Sequence, residues 1–378
     1  MARFSPEACR DAGGSESKRR ESQRWSERLK HRLKNALRLL ATSGPVSRLF
    51  RPLMAGRSTI FMLHRFRDRE LGVEGHDPGM LDQAISAIRR EGFKTVSAEE
   101  ILLTAREGGD PSGLVAFTVD DGYADFHQVG APVFAHHGCP VTVFLATEFL
   151  DEGAWLWPDR VRFMMMHTPV DSVELEVDGR TRALEWRSRG SRGAAFQSLT
   201  WLLGGMTLDR RTTALEELED RLRVEVPGEP LPEFQPMSWD EVREDGRRGV
   251  TFGPHSVTHP NMALLDGHEL EWEISRSWER IQAETDAGTP VFCFPFGREE
   301  DCPEGAGRAM AEAGLSGAVT AVPGHVTAEI SRLSPFRLPR FAWPDDLGDL
   351  RQILHGLERA KAVARAWVSR DRPSPGSS

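Results

Sequence analysis

Apolar and polar positions fall into two regimes after Gly56. Short apolar runs at Thr59–Leu63, Leu114–Val119, Val141–Leu145, Gly249–Phe252, Val291–Phe294 and Gly317–Ala321 have the length and composition of buried strands. Between most of them, apolar residues recur at three- and four-residue spacing behind polar starts: Pro78–Glu91, Ala98–Glu107, Asp125–His137, Trp239–Arg248, His268–Asp286 and Glu304–Glu312. These read as amphipathic helices. Repeated βα units of this kind predict an α/β fold with a parallel barrel, complete or distorted, whose chemistry sits at the C-terminal ends of the strands. The interval from about 170 to 236 breaks the rhythm. It reads as a hairpin (Val173–Val177, an Asp178–Gly179 turn, Thr181–Trp186) followed by two helical stretches, an insertion placed to cap the site.

Ahead of this lies a different pattern. Trp25, Leu29, Leu33, Ala36, Leu37 and Leu40 line one side of a helix whose other positions carry Arg28, Lys30, Arg32, Lys34 and Arg38. Such a helix either docks its Leu stripe on the main domain or adsorbs to an anionic membrane surface, which makes residues 25–41 a candidate peripheral membrane contact. The first two dozen residues and those after about Arg370 lack apolar periodicity and read as disordered. The expected organisation is a basic arm over 1–57, one main domain over 58–368 containing the insertion, and a tail over 369–378. No secretory signal pattern is visible, so the expectation is a cytoplasmic protein, with any membrane contact on the inner face.

Charge sharpens that division. The 378 residues carry 48 Lys and Arg against 57 Asp and Glu, a net −9, which excludes a chain that is basic throughout and coats nucleic acid. Residues 1–57 hold 14 and 5 of these, a balance of +9, leaving 34 and 52, or −18, for the remainder. Cys9, Cys139, Cys293 and Cys302 form no CxxC pair, so neither a thiolate zinc cluster nor a disulfide framework is indicated. No apolar run approaches the roughly 18 residues of a membrane span. The oligomeric state is open.

Candidate chemistry gathers at strand ends. Val115–Val119 runs into Asp120-Asp121-Gly122-Tyr123, and two adjacent carboxylates are stable when one faces a cation. Phe252-Gly253-Pro254 leads into His255 and His259, which share a side if the segment is a helical turn. Two imidazoles and a carboxylate make the open three-ligand set of a catalytic rather than structural zinc; cobalt, nickel and manganese suit the same donors. Ile60–Phe66 places His64 at the end of the first strand. Phe292–Arg298 is another strand end with a Pro-Gly loop.

As a set, these motifs resemble the polysaccharide deacetylases that share the NodB homology domain, carbohydrate esterase family four, from about Thr59 to Gly356. The resemblance implies that Asp121, His255 and His259 bind a divalent metal, most simply Zn2+, that Asp120 is the general base, and that the Tyr123 backbone amide helps hold the oxyanion. Where the secreted chitin and peptidoglycan enzymes carry an arginine in the third motif, this chain has Cys293. Leu63-His64-Arg65-Phe66, Phe294-Pro295-Phe296-Gly297 and Arg337-Leu338-Pro339-Arg340-Phe341 resemble instead the poly-N-acetylglucosamine deacetylase branch, with its circularly permuted, distorted (β/α)7-type barrel. That branch makes His64 the general acid and leaves the partner of Asp120 to be supplied, for which Arg340 is the candidate.

The implied substrate is a carbohydrate, and the implied reaction is hydrolysis of an N-acetyl group from an acetamido sugar in a polysaccharide, an oligosaccharide or a lipid-linked glycan, releasing acetate. Trp157, Phe296 and Trp343 are candidate sugar-binding residues, with core packing the alternative for the tryptophans. Two rivals stand beside this reading. One is a hydrolase of the same fold acting on acetyl esters or cyclic amides; the other is an inactive glycan-binding or membrane scaffold, whose mark would be a lost ligand or base.

Overall fold

The computed structural model describes residues 51–177 and 179–357. The helix expected over 25–41 and both ends expected to be disordered lie outside the described residues. Two units are distinguished among the described residues, 51–53 with 345–357, and Met54–Pro344. In the first, a helix over Leu347–Leu354 starts at Asp346, whose carboxylate accepts from the Gly348 and Asp349 amides. The second unit carries every candidate residue from His64 to Trp343.

Its strands are β1 (Arg57–Leu63), β2 (Lys94–Val96), β3 (Leu114–Val119), β4 (Val141–Leu145), β5 (Ser172–Val177), β6 (Arg180–Glu185), β7 (Val250–Pro254), β8 (Val291–Cys293), β9 (Gly317–Val319), β10 (Val326–Thr327) and β11 (Phe341–Ala342). A parallel ladder runs β11-β1-β3-β4-β7, with β2 parallel to β3 and the short β10 antiparallel to β1. β8 and β9 form a second parallel pair, and single parallel bridges Phe252–Gly288 and Val319–Leu338 lie on its two sides. Helices stand between the strands, as the α/β pattern predicts.

Alternation within the strands decides what faces inward. Ile60, Ala116, Phe144, Cys293, Val319 and Leu338 belong to one buried apolar cluster. Phe61 and Phe117 point the other way, packing on each other and on Trp343. Continuing the inward parity past the strand ends reaches His64 from Ile60, Asp120 from Ala116 and Arg340 from Leu338.

The insertion hairpin forms as β5 and β6, paired antiparallel from Ser172–Glu185 to Val177–Arg180. Two helices follow, Arg189–Gly204 and Leu208–Leu222. They share an apolar core with the helix Trp157–His167, in which Trp186, Leu199, Leu203, Leu218 and Leu222 are buried. Two local expectations change. The segment read as a helix over Asp125–His137 opens with a wide turn at Phe126–Gly130 before the helix Ala131–His136. Strands as short as β2, β10 and β11 leave no readable alternation.

Candidate active site

The C-terminal ends of β1, β3, β7 and β8 meet at a cleft of about 420 Å³, whose lining includes Met62, His64, Asp120, Asp121, His255 and His259. Asp121 stands opposite both histidines. Its Oδ1 is 3.4 Å from His255 Nε2 and 3.5 Å from His259 Nε2. The three donor atoms lie within 4.8 Å of one another, close enough to share a single ion.

The expected helical turn is not what brings the histidines together. The segment after β7 is a bend in which Ser256 (φ 66°) and His259 (φ 52°) both adopt left-handed conformations, and Asp121 (φ 78°) does so on the facing loop. Non-glycine residues there cost of order 1 kcal/mol each and persist only where surroundings hold them. Ser256 Oγ accepts from the His259 amide. Buried Glu273, on the helix Gly267–Glu284, accepts from the Val257 and Thr258 amides and the Thr258 hydroxyl at 2.6–3.1 Å. Gly122 completes the facing loop: with φ 91°, a Cβ there would stand 2.7 Å from Leu145.

Donor chemistry suits a cation. His255 Nδ1 lies 2.8 Å from the Cys293 carbonyl, which only accepts, so Nδ1 carries a proton and Nε2 is the nitrogen turned to Asp121. Burial opposes the charged ring, but the Cys293 and Asp121 acceptors raise its pKa, so Nε2 donates to Asp121 and would give up that proton to ligate an ion. Burial pushes the Asp121 carboxyl up, but the hydrogen bonds from His255 and His259 hold it well below the usual carboxylate range. Burial also lowers the pKa of His259, keeping it neutral, as ligation requires. A second grouping, Asp120, His255 and Cys293, is geometrically close. Its Asp120 oxygens and Cys293 sulfur are already committed to Arg340, so the Asp121 set is the better fit for a metal.

Arg340, 1% exposed, meets Asp120 as a two-bond fork, Nη1 to Oδ1 at 2.7 Å and Nη2 to Oδ2 at 2.8 Å. Its other three N–H groups reach the Thr320 carbonyl, Thr118 Oγ1 and Cys293 Sγ, so all five donors are used. Burial pushes Asp120 up, but the Arg340 charge and hydrogen bonds outweigh it and leave the carboxyl below its ordinary value. Cys293 therefore touches the arginine that neutralises Asp120. His64 Nε2 is 3.9 Å from Asp120 Oδ2, with the His64 side chain 44% exposed toward the cleft.

Behind this front, Tyr123 is anchored by its buried side chain. Its hydroxyl donates to Asp159, and the Arg65 guanidinium lies 3.9 Å from its ring centroid. Arg65 Nε also donates to Asp125, which accepts from the Phe66 amide, tying the loop after His64 to the loop after Asp121. Burial raises Asp159 to about 6.

Of the candidate sugar-binding residues, Trp157 and Phe296 line the cleft and stack with ring centroids 6.0 Å apart. Trp343 does not: it packs against Phe61 and Phe117 away from the cleft, whereas Trp157, though mostly buried in the insertion core, still reaches the lining. Trp343 stands three residues after Arg340, and an odd spacing on extended backbone turns it to the opposite face. The nearby Trp155 is engaged elsewhere, its ring on Phe163 and Phe234 and its indole N–H donating to the Pro227 carbonyl. The insertion, expected to cap the site, lends its first helix to the cleft wall through Gln197, Thr200, Trp201 and Gly204, residues the sequence pattern did not single out. Gly204 packs so closely that a Cβ there would stand 2.8 Å from the Phe296 ring.

Residues 196–317 match the family described as polysaccharide deacetylase. That stretch of the chain is similar to the polysaccharide deacetylases. Its architecture is also that of a solved neighbour, Streptococcus pyogenes deacetylase PplD in complex with acetate: TM-score 0.51 at 15% identity, over 79% of this chain and 98% of that one. IcaB from Ammonifex degensii aligns at TM-score 0.47 and 13% identity, over 79% and 97% of the two chains. The BpsB deacetylase domain from Bordetella bronchiseptica aligns at 0.46 and 16%, over 76% and 96%. No curated protein matches the chain by sequence. The motif-based resemblance to the deacetylases is thus upheld, and among the described residues no helix is long and apolar enough to cross a membrane.

Proposed function

We propose that the protein is a metal-dependent carbohydrate N-deacetylase that removes acetyl groups from an acetamido sugar. The observation that carries this reading is one cleft in which the Asp121, His255 and His259 donor set, the Arg340-paired Asp120 and the half-exposed His64 all converge. Asp121, His255 and His259 would hold the ion, with zinc the best match to two imidazoles and a carboxylate. When bound, such an ion acts as a Lewis acid toward an acyl oxygen and lowers the pKa of water.

The chain's own groups supply the proton transfers. Asp120, ionised beside Arg340, accepts the proton of the attacking water. Arg340 keeps both carboxylate oxygens aligned while this happens. The Tyr123 amide, on the turn that Gly122 makes possible, donates to the developing oxyanion. His64 stands across from Asp120 and protonates the departing nitrogen, without which an amine leaves poorly. Phe296, backed by the edge of Trp157, offers an apolar wall to the sugar ring.

The test pairs metal content with acetate release. Protein stripped by a chelator should lose activity toward N-acetylglucosamine oligosaccharides and regain it on adding one equivalent of Zn2+ or Co2+, while Asp120→Asn should remain inactive with metal present. Activity that survives chelation, or acetate released from acetylated xylan in preference to every acetamido sugar, would overturn the reading. The basic stripe over residues 25–41 supports peripheral contact with an anionic membrane. Co-sedimentation of the full chain with phosphatidylglycerol vesicles tests it, and recovery in the supernatant refutes it.

A further inference from the structure

The cleft does not end at the donor set. Gln197 and Trp201, which line it, also line a neighbouring groove of about 620 Å³ between β6 and the insertion helix, whose other walls are Arg182, Leu184, Ser198 and Leu202. Trp201 stands at the junction and is 66% exposed. The helix's apolar positions explain why: Leu199 and Leu203 face the insertion core, and Trp201, two residues from each, is turned about 200° away from them. What marks this ring out is its place: it leaves a broad apolar face at the point where the cleft and the groove join, within reach of anything lying in both.

We propose that Trp201 is a specificity-determining residue that stacks on the sugar next to the one being deacetylated, so that the groove reads a glycan of several residues rather than a single sugar. This rests on the deacetylase reading of the same cleft. Aromatic faces suit the apolar side of a pyranose, and the Gln197 amide and Ser198 hydroxyl beside the ring can exchange hydrogen bonds with sugar hydroxyls. Continuity with the catalytic cleft identifies the occupant: whatever lies in the groove while an acetamido group sits at Asp121 is covalently attached to that group's sugar. A free monosaccharide would leave the groove empty.

The experiment compares kcat/KM for the methyl glycoside of N-acetylglucosamine with that for its β-1,4- and β-1,6-linked tetrasaccharides, in native protein and in Trp201→Ala and Trp201→Phe. Native protein should favour one tetrasaccharide by about tenfold or more, equivalent to about 1.4 kcal/mol. Trp201→Ala should collapse that ratio toward one, and Trp201→Phe should restore most of it. Calorimetric binding of the corresponding unreactive glucosamine tetrasaccharide separates the two readings. Trp201-dependent binding without acetate release supports the groove and overturns the deacetylase assignment. Acetate release with the same length ratio in native and Trp201→Ala proteins, or with no length preference in the native one, overturns the groove. Absence of both binding and release overturns the two together.

Discussion

Replacing Arg340 by methionine keeps the reach of the side chain while deleting the charge that faces Asp120. Asp120 is 3% exposed, so the carboxylate cannot turn to solvent for compensation. Removing one partner of a buried ion pair costs about 3–5 kcal/mol, because the remaining charge is left uncompensated. Thr118, Thr320 and Cys293 lose a donor in the same substitution, which places the expected loss in the upper part of that range. Urea unfolding of the metal-free protein at pH 7, followed by far-UV circular dichroism, measures it. Adding Asp120→Asn removes the stranded charge, so the double variant should recover about 1–3 kcal/mol relative to the sum of the single losses. The sign with pH is fixed by the depressed Asp120 value. Its contribution is present above the ordinary aspartate range and lost as pH falls through the folded value, so native and Arg340→Met proteins should converge in acid. In acetate-release assays, the acid limb of the pH profile should move upward in Arg340→Met as burial pushes Asp120 toward its protonated form. A loss no greater than the about 0–1 kcal/mol of an exposed pair, with an unmoved acid limb, would refute the argument.

Three further outcomes follow from the same geometry. Glu273→Gln removes the charge that clamps the Val257–Thr258 backbone and should weaken metal binding about 10–100-fold by calorimetric titration, with an unchanged affinity counting against the clamp. Asp159, raised to about 6 by burial, favours the fold when protonated, and that contribution is lost as pH rises from the ordinary aspartate value through 6. Asp159→Asn should therefore gain about 2 kcal/mol relative to native at pH 8 over what it shows at pH 4, in parallel urea titrations. Trp343→Ala empties a core site between Phe61 and Phe117 and should cost about 3–5 kcal/mol of stability, while the tetrasaccharide-to-monosaccharide ratio at permissive temperature stays native. A changed ratio would return Trp343 to the sugar-binding surface.

Much of the site was readable because its residues end strands. Buried strands announce themselves as apolar runs, and Leu114–Val119 and Val141–Leu145 are observed with the boundaries the pattern predicts. Inward parity then carries over into Asp120, His64 and Arg340. What the pattern could not supply is anything decided by packing between distant segments. Trp201 and Trp343 are the same residue type, one turned to water by the opposite face of its helix and the other to the core by an odd step along an extended chain. Neither direction is written in local composition. The convergence of His255 and His259 rests on left-handed residues and on Glu273, a clamp that lies 14 residues beyond His259 in sequence and on another element. The wide turn at Phe126–Gly130 and the two-residue β11 were illegible for a simpler reason: they are too short to show a period.

The fork between Arg340 and Asp120 spans 220 residues of chain. During synthesis at about 5–20 residues per second, β3 and its terminal carboxylate wait roughly 10–45 s before the arginine leaves the ribosome. Through that interval the interior position of Asp120 lacks its arginine, so burying the carboxylate at this edge of the sheet is unfavourable. Docking of β11 beside β1 is the event that makes burial of the acid favourable. Pairing of Asp120 and docking of β11 are thereby the same late step, and a chain cut short of residue 340 should be a target for quality control rather than a stable product.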